Sequence, residues 1–343
     1  MDADVVVVGA GAVGSAAARE LARRGLDVIA LERFRIGHDR GSSHGDARIF
    51  RHSYDAPDWV RMMKEAMGLW AELEDEAGEE LLTRTGGIDL DAPPENATSL
   101  DAEGMGYEVL SGAAVMERFP SLSLAPEEEV LFQADAGIVH ADRAWRALVE
   151  GARRAGAEVR EGVQVVELRA DEDGVEARTD GGTISARVGV VAAGSWALDL
   201  LRPVGIAVPA RVTRESPAYF ESEPPPVVVV DWHGEHLTYA LPSPGFGLKA
   251  AEHHAGPEVD PDDWGGPDEA SVARVRAWVA ERFAPMDPRP LHAEACLYTT
   301  TADERFVLER HGAVVVASAC SGHGFKFVPW SGARAAELAL RRS

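Results

Sequence analysis

Lysine is almost missing from this chain. Of its 34 basic residues only Lys64, Lys249 and Lys326 are lysine, so each marks a place where a compact ammonium can matter and an arginine fork would fit differently. Cysteine is as scarce: Cys296 and Cys320 are too few for a disulfide framework, which points to a reducing cytoplasm. No apolar run approaches the roughly 18 residues of a membrane span, and Asp2 and Asp4 are unlike the cationic start of a secretory signal. Positive charge is short overall. A formal charge of −23 argues against nucleic acid or an anionic membrane as partner, and acidic runs such as Glu72 to Glu80 and Glu127 to Glu129 read as solvated faces.

What is present begins at the N-terminus. Asp4 to Val8 reads as a buried parallel strand, followed by Gly9-Ala-Gly11-Ala-Val-Gly14, an Ala-rich helix from Ser15 to Arg24, and a second strand, Asp27 to Leu31, ending at Glu32. This is the order a dinucleotide fold requires. Gly9 permits the tight turn, Gly11 lets a pyrophosphate approach the backbone, Gly14 lets helix and strand pack, and the helix N-terminus offers N–H groups to phosphate. Glu32 suits ribose hydroxyls and disfavours a 2′-phosphate. The fingerprint alone leaves FAD and NAD open.

Further along, helices are expected from Pro57 to about Ala77, from Asp142 (as cap) to Ala155, and from Asp268 to Phe283. Strands are expected over Glu158 to Leu168, Val188 to Ala193 and Ala313 to Ala319. Segments 83–140 and 206–290 carry β patterning and turn punctuation, including Pro224-Pro225-Pro226 and Pro242-Ser-Pro244-Gly245. No repeat or long linker divides the chain. The expected class is α/β (α+β): a discontinuous nucleotide domain (1–82, 141–205, 291–343) of Rossmann-like type, interrupted twice by an antiparallel-sheet substrate domain (83–140, 206–290).

Three stretches then narrow the chemistry: Gly41-Ser42-Ser43-His44-Gly45-Asp46-Ala47-Arg48-Ile49-Phe50-Arg51; Tyr239 to His253 with Lys249 between; and Glu294-Ala-Cys296-Leu-Tyr-Thr-Thr-Thr-Ala-Asp-Glu-Arg-Phe306 followed by Ser321-Gly322-His323-Gly324-Phe325-Lys326. Together they resemble the monomeric sarcosine oxidase and N-methyltryptophan oxidase group of the D-amino-acid-oxidase-like flavoproteins, from residue 4 to about 340. The resemblance implies FAD bonded through Cys296, with Ser42, His44 and Arg48 beside the flavin and Arg51 and Lys326 on a substrate carboxylate. It implies Tyr239 and His253 in the substrate cavity, Lys249 activating oxygen, and cofactor contacts from Gly9, Gly11, Gly14, Glu32, Val165, Gly194, Trp196, Gly322, Gly324 and Lys326. Trp232 and His233 would extend the pocket wall. Ala47 departs from the threonine of the sarcosine oxidases, the turn after Pro242 is one residue shorter, and relatives continue past Ser343 with a tail over the cofactor. Cys320 lies outside the attachment pattern and reads as a buried structural thiol.

The implied reaction is oxidation of a small secondary amine bearing a carboxylate (N-methyl or cyclic), giving an imine and hydrogen peroxide with O2 as acceptor, by a monomer. No metal is expected, since His253 and His254 are adjacent and His292, His311 and His323 are scattered. Two alternatives stay open: a dehydrogenase passing electrons to a quinone or carrier, and a catalytically inactive flavin-binding protein.

Overall fold

The computed structural model describes residues 1–222, 227–263, 265–283, 286–318 and 321–341; Cys320 and the triple proline at 224–226 lie outside the described residues. Five strands make a parallel core in the order Val314–Ser318, Gly182–Val191, Ala3–Val8, Val28–Glu32 and Glu158–Glu161. Ala3–Val8, Val28–Glu32 and Val314–Ser318 are rich in β-branched, apolar residues and buried on both faces, as parallel strands between helices must be, whereas Glu158–Glu161 is a polar edge. The helix Ala12–Arg23 owes its close packing to small residues: a Cβ on Gly332 of the last helix, Val328–Leu340, would stand 2.4 Å from Ala16 Cβ. The helices Pro57–Ala77 and Ala141–Arg154 bury Trp70 and Trp145 in the adjoining core.

A second, eight-stranded sheet runs Pro290–Ala293, Ala218–Glu221, Gly247–Glu252, Thr238–Ser243, Val228–Asp231, Gly87–Leu90, Glu129–Gln133 and Glu108–Ser111. It is antiparallel except where Val228–Asp231 runs parallel to Gly87–Leu90, so the expected antiparallel sheet is in fact mixed. Two small sheets connect the halves. Ala47–Phe50 pairs with Gly137–His140, and Ala210–Glu215 pairs with Cys296–Thr301.

Two local expectations change. Glu158 to Leu168 is not one strand: the chain turns at Gly162, which has φ 71°, and Val165–Ala170 joins a hairpin elsewhere in the first sheet. Asp142 does not cap its helix; His140 holds that position, and the Asp142 carboxylate instead accepts from the Gly45 N–H at 2.9 Å. That bond ties the helix to the loop that carries His44 and leads into the strand carrying Arg48.

Candidate active site

A cavity of about 450 Å³ runs from the N-terminus of the first helix to the face of the second sheet. At Gly9 and Gly11 nothing larger fits. Gly9 has φ 94°, and a Cβ there would lie 2.7 Å from Ala192 O; one on Gly11 would lie 2.9 Å from Ser43 Oγ. Gly14 is the one residue expected to contact the cofactor that does not line the cavity. A Cβ there would meet Gly9 O at 1.8 Å, so it packs helix against strand, as expected. The helix N-cap, Gly11, provides no side-chain acceptor; Ser43 Oγ accepts from Ala12 N at 3.0 Å, and the positive helix end lies against the cavity through Gly11, Ala12 and Val13. Trp145 Nε1 holds Ala10 O at 2.8 Å, while the Glu32 carboxylate accepts from Ala10 N and Phe34 N, both at 3.0 Å. This cradle suits a dinucleotide diphosphate and ribose, and the donor set fits FAD.

Gly9, Gly11, Glu32, Val165, Gly194 and Trp196 line this end; Ser42, His44, Arg48 and Cys296 line the middle; Arg51, Tyr239, Lys249, His253, Gly322, Gly324 and Lys326 line the rest. Trp196 donates to Asp262 at 2.8 Å, and Asp262 also pairs with Arg33 at 2.6 Å, a link between the two halves beside the nucleotide end. Arg48 is pinned by its own loop, donating to Ala47 O at 3.0 Å and Ser42 O at 3.3 Å. Burial, then the Arg48 charge, draws the His44 imidazole down to about 4, so it is neutral at physiological pH; its buried Nε2 has no hydrogen-bond partner among the described residues.

Both cavity lysines are buried. Lys249 projects from Gly247–Glu252, with Nζ 3.4 Å from Ala47 O and 5.3 Å from the Tyr219 ring centroid. Burial, then Arg48, brings it down to about 7, against the pull of Glu294. Lys326 Nζ donates to Tyr54 OH at 2.9 Å and His323 O at 3.1 Å, and its backbone is fixed by Trp70 Nε1 on Lys326 O at 2.8 Å. Burial, then Arg51, pushes its pKa well below the lysine range. Arg51 stands over the same Tyr54 ring, its Cζ 4.8 Å from the centroid against 5.5 Å for Lys326 Nζ. It also pairs with buried Asp89 at 3.6 Å and donates to Ser53 O. Burial raises the Asp89 carboxyl against that pairing.

Cys296 is a buried thiol opening the strand Cys296–Thr301. Tyr298, two residues on, shares its face of the strand and lines the cavity. Gly322, at φ 70°, leaves room for it: a Cβ would approach Tyr298 to 2.3 Å and His253 to 2.4 Å. His253 stacks on His254 at 4.0 Å, and with Glu304 their ligand atoms all lie within 4.8 Å of one another. Both His254 nitrogens face acceptors, Ser321 O at 3.2 Å and Glu304 at 3.1 Å, an arrangement suited to an imidazolium rather than a metal ligand.

Sequence reasoning missed Tyr54, Asp89, Tyr298 and Glu294. Only Tyr298 and Glu294 carried a signal, through period-2 spacing from Cys296. Trp232 and His233, expected in the pocket wall, do not line the cavity: the Trp232 ring lies 5.8 Å from Arg51 Cζ, and His233 is held by Asp231 at 2.7 Å.

Residues 4–338 match the family described as "DAO: FAD dependent oxidoreductase". The chain belongs to this family. It is 33% identical to human peroxisomal sarcosine oxidase, covering 98% of this chain and 92% of that protein. It is 30% identical to monomeric sarcosine oxidase of Bacillus sp., with the same coverage. Among solved structures, the open form of NikD, an unusual amino acid oxidase essential for nikkomycin biosynthesis, superposes with a TM-score of 0.89 at 29% identity, covering 99% of this chain and 94% of that one. Among the described residues no helix is long and apolar enough to cross a membrane.

Proposed function

We propose that this chain oxidises a small secondary amine bearing a carboxylate, an N-methyl or cyclic amino acid, with FAD attached through Cys296 and O2 as acceptor. One observation carries the reading. Two cations, buried Lys326 and part-buried Arg51, flank the same tyrosine ring, and the hydrogen-bond partners of Lys326 among the described residues are neutral. A buried ammonium without a counter-charge is costly unless an anion arrives with the ligand. The sarcosine oxidase relatives support the amine class, and those named monomeric support a monomer. The scarcity of cysteine supports a cytoplasmic setting.

FAD, when bound, supplies the acceptor for the two electrons of the substrate C–H bond and passes them to O2, yielding hydrogen peroxide. The protein's share is positional and electrostatic. Lys326 and Arg51 hold the carboxylate and so fix the orientation of the amine. His44, neutral, places no second full charge beside Arg48. Lys249 presents an ammonium where negative charge develops on oxygen. The imine product leaves for hydrolysis, giving an aldehyde and a primary amine from an N-methyl substrate.

Peroxide release should be measured with N-methylglycine, N-methyltryptophan, proline and pipecolate, each against its methyl amide. Turnover of the acids and not the amides is expected; equal turnover of both removes the carboxylate site. Prompt air reoxidation of the substrate-reduced protein separates an oxidase from a dehydrogenase with another acceptor. For the attachment, the denatured protein should stay yellow with one FAD adduct by intact mass, and Cys296→Ala should release flavin into acid supernatant. Release by Cys320→Ala instead reassigns the bond.

A further inference from the structure

The two residues between the strands Pro290–Ala293 and Cys296–Thr301 carry the chain from the second sheet to the cofactor side, and the first of them is Glu294. Its backbone N–H is fixed on Pro217 O at 2.9 Å. Its carboxylate accepts from Tyr219 OH at 2.8 Å and lies 3.5 Å from His292 Nε2. Tyr219 is fully buried, stacks flat on His292 at 4.4 Å, and lies 5.3 Å beneath Lys249 Nζ. Lys249, Tyr219 and His292 are register partners across three adjacent strands, so all three share one face of the sheet. A cavity-lining carboxylate has therefore been placed on the far side of a tyrosine from the cavity's buried lysine.

We propose that Glu294 is a positioning residue for the Lys249 ammonium: through Tyr219 it supplies the fixed negative charge that keeps this lysine protonated in a buried cavity. The proposal rests on the reading above that Lys249 serves oxygen reduction. Other neighbours do less of this work or oppose it. Arg48 opposes the charge on Lys249, and His44 is neutral. The Asp46 carboxylate, bonded to Ser243 Oγ at 2.6 Å and Gly245 N at 3.0 Å, supports the ammonium more weakly than Glu294 does. The Cys296 sulfur carries no charge as a thioether. Tyr239 keeps its proton, burial and its neighbours placing it at about 12. Glu294 itself stays ionised: burial works against its charge, but the Tyr219 hydroxyl, then Lys249, lead the influences that more than offset that and hold it below the usual carboxylate range. With Lys249 drawn down to about 7, its charged fraction near neutral pH responds steeply to one nearby carboxylate.

Three lysines in the whole chain make the test direct. The flavin-loaded enzyme, isotope-labelled on lysine, is titrated by NMR; the Lys249 signal is the one lost in Lys249→Met, and exposed Lys64 is the internal reference. Glu294→Gln should lower the Lys249 pKa by about half a unit or more and leave Lys326 and Lys64 unmoved. At pH 8 the rate of flavin reoxidation by O2 should then fall about threefold, in proportion to the lost ammonium. Glu294→Asp, which keeps the charge, should recover part of the shift, and it is judged by the same criterion if the glutamine variant loses its flavin. An unchanged Lys249 titration in these variants overturns the proposal. A lowered pKa with no change in reoxidation sustains the pairing and instead removes the role of Lys249 toward oxygen.

Discussion

The two buried lysines of the cavity are built from the same side chain and arrive at opposite electrostatic situations. Lys249 sits in the middle of a strand, with the Glu294 carboxylate behind Tyr219. Lys326 sits in a short 3-10 turn, with a tyrosine hydroxyl, a histidine carbonyl and the cation Arg51 for company. Burial lowers both, but only Lys249 has a carboxylate among the influences restoring its charge. A lysine with its own counter-charge is ready to act on something neutral that becomes negative. A lysine without one is complete only when an anion binds.

The sharpest way to break this contrast is at the carboxylate end. Truncating one partner of a buried, hydrogen-bonded charge pair costs about 2–5 kcal/mol. At about 1.4 kcal/mol per decade, Lys326→Ala should lower kcat/KM for an amino-acid substrate by roughly thirtyfold or more. Arg51→Ala should lose less, because Asp89 already spends part of its charge. Steady-state kinetics on acid and amide substrates checks both; a loss shared equally by the two substrate classes would mean that these residues serve the flavin.

At the other end, Lys249→Met should slow reoxidation by O2 roughly a hundredfold, the order expected when one preorganised charge is removed, about 2.7–4 kcal/mol. Reduction by substrate should change far less. Stopped-flow traces of the two half-reactions decide it, and equal losses in both assign Lys249 to substrate binding or folding.

How much of this asymmetry could be read from the sequence follows from what each partner is. The glycine cradle, Glu32, the 41–51 block and both lysines stand in contiguous motifs whose spacing mirrors local backbone geometry, so each was legible. Asp89 and Tyr54 were not. Asp89 lies in a strand that reads as ordinary β patterning, and its proximity to Arg51 arises only because Gly87–Leu90 and Ala47–Phe50 belong to adjoining sheets. Tyr219 and Glu294 are 75 positions apart and meet through strand pairing alone. The Glu158 to Leu168 segment misled for a related reason. Its apolar residues fit one strand, whereas the glycine at 162 lets two short strands enter different parts of the sheet.

The smallest expected effect lies just outside the cavity wall. His254, Glu304 and Ser321 all hold positive φ, at 58°, 56° and 35°, a region non-glycine residues rarely occupy unless their surroundings enforce it. The enforcement is the His254 ring, donating to Ser321 O and to the Glu304 carboxylate at once. Burial draws the imidazole down, but Glu304 and then Ser321 more than offset this and raise its pKa above the usual histidine value. A pKa raised on folding gives stability that is fully present below the unfolded value of about 6.5 and is lost as pH rises through the folded value. Glu304 is half exposed, so solvent screens the pair and its worth stays under about 1 kcal/mol. For a chain of this length that is a change in Tm of about 1–2 °C. His254→Asn, which keeps a residue tolerant of positive φ while removing the titration, should flatten the fall in Tm between pH 6 and pH 9 by that amount. A Tm-versus-pH curve identical to wild type would show that the Glu304 pairing contributes nothing, and that the strained backbone is held by packing against Tyr298 instead.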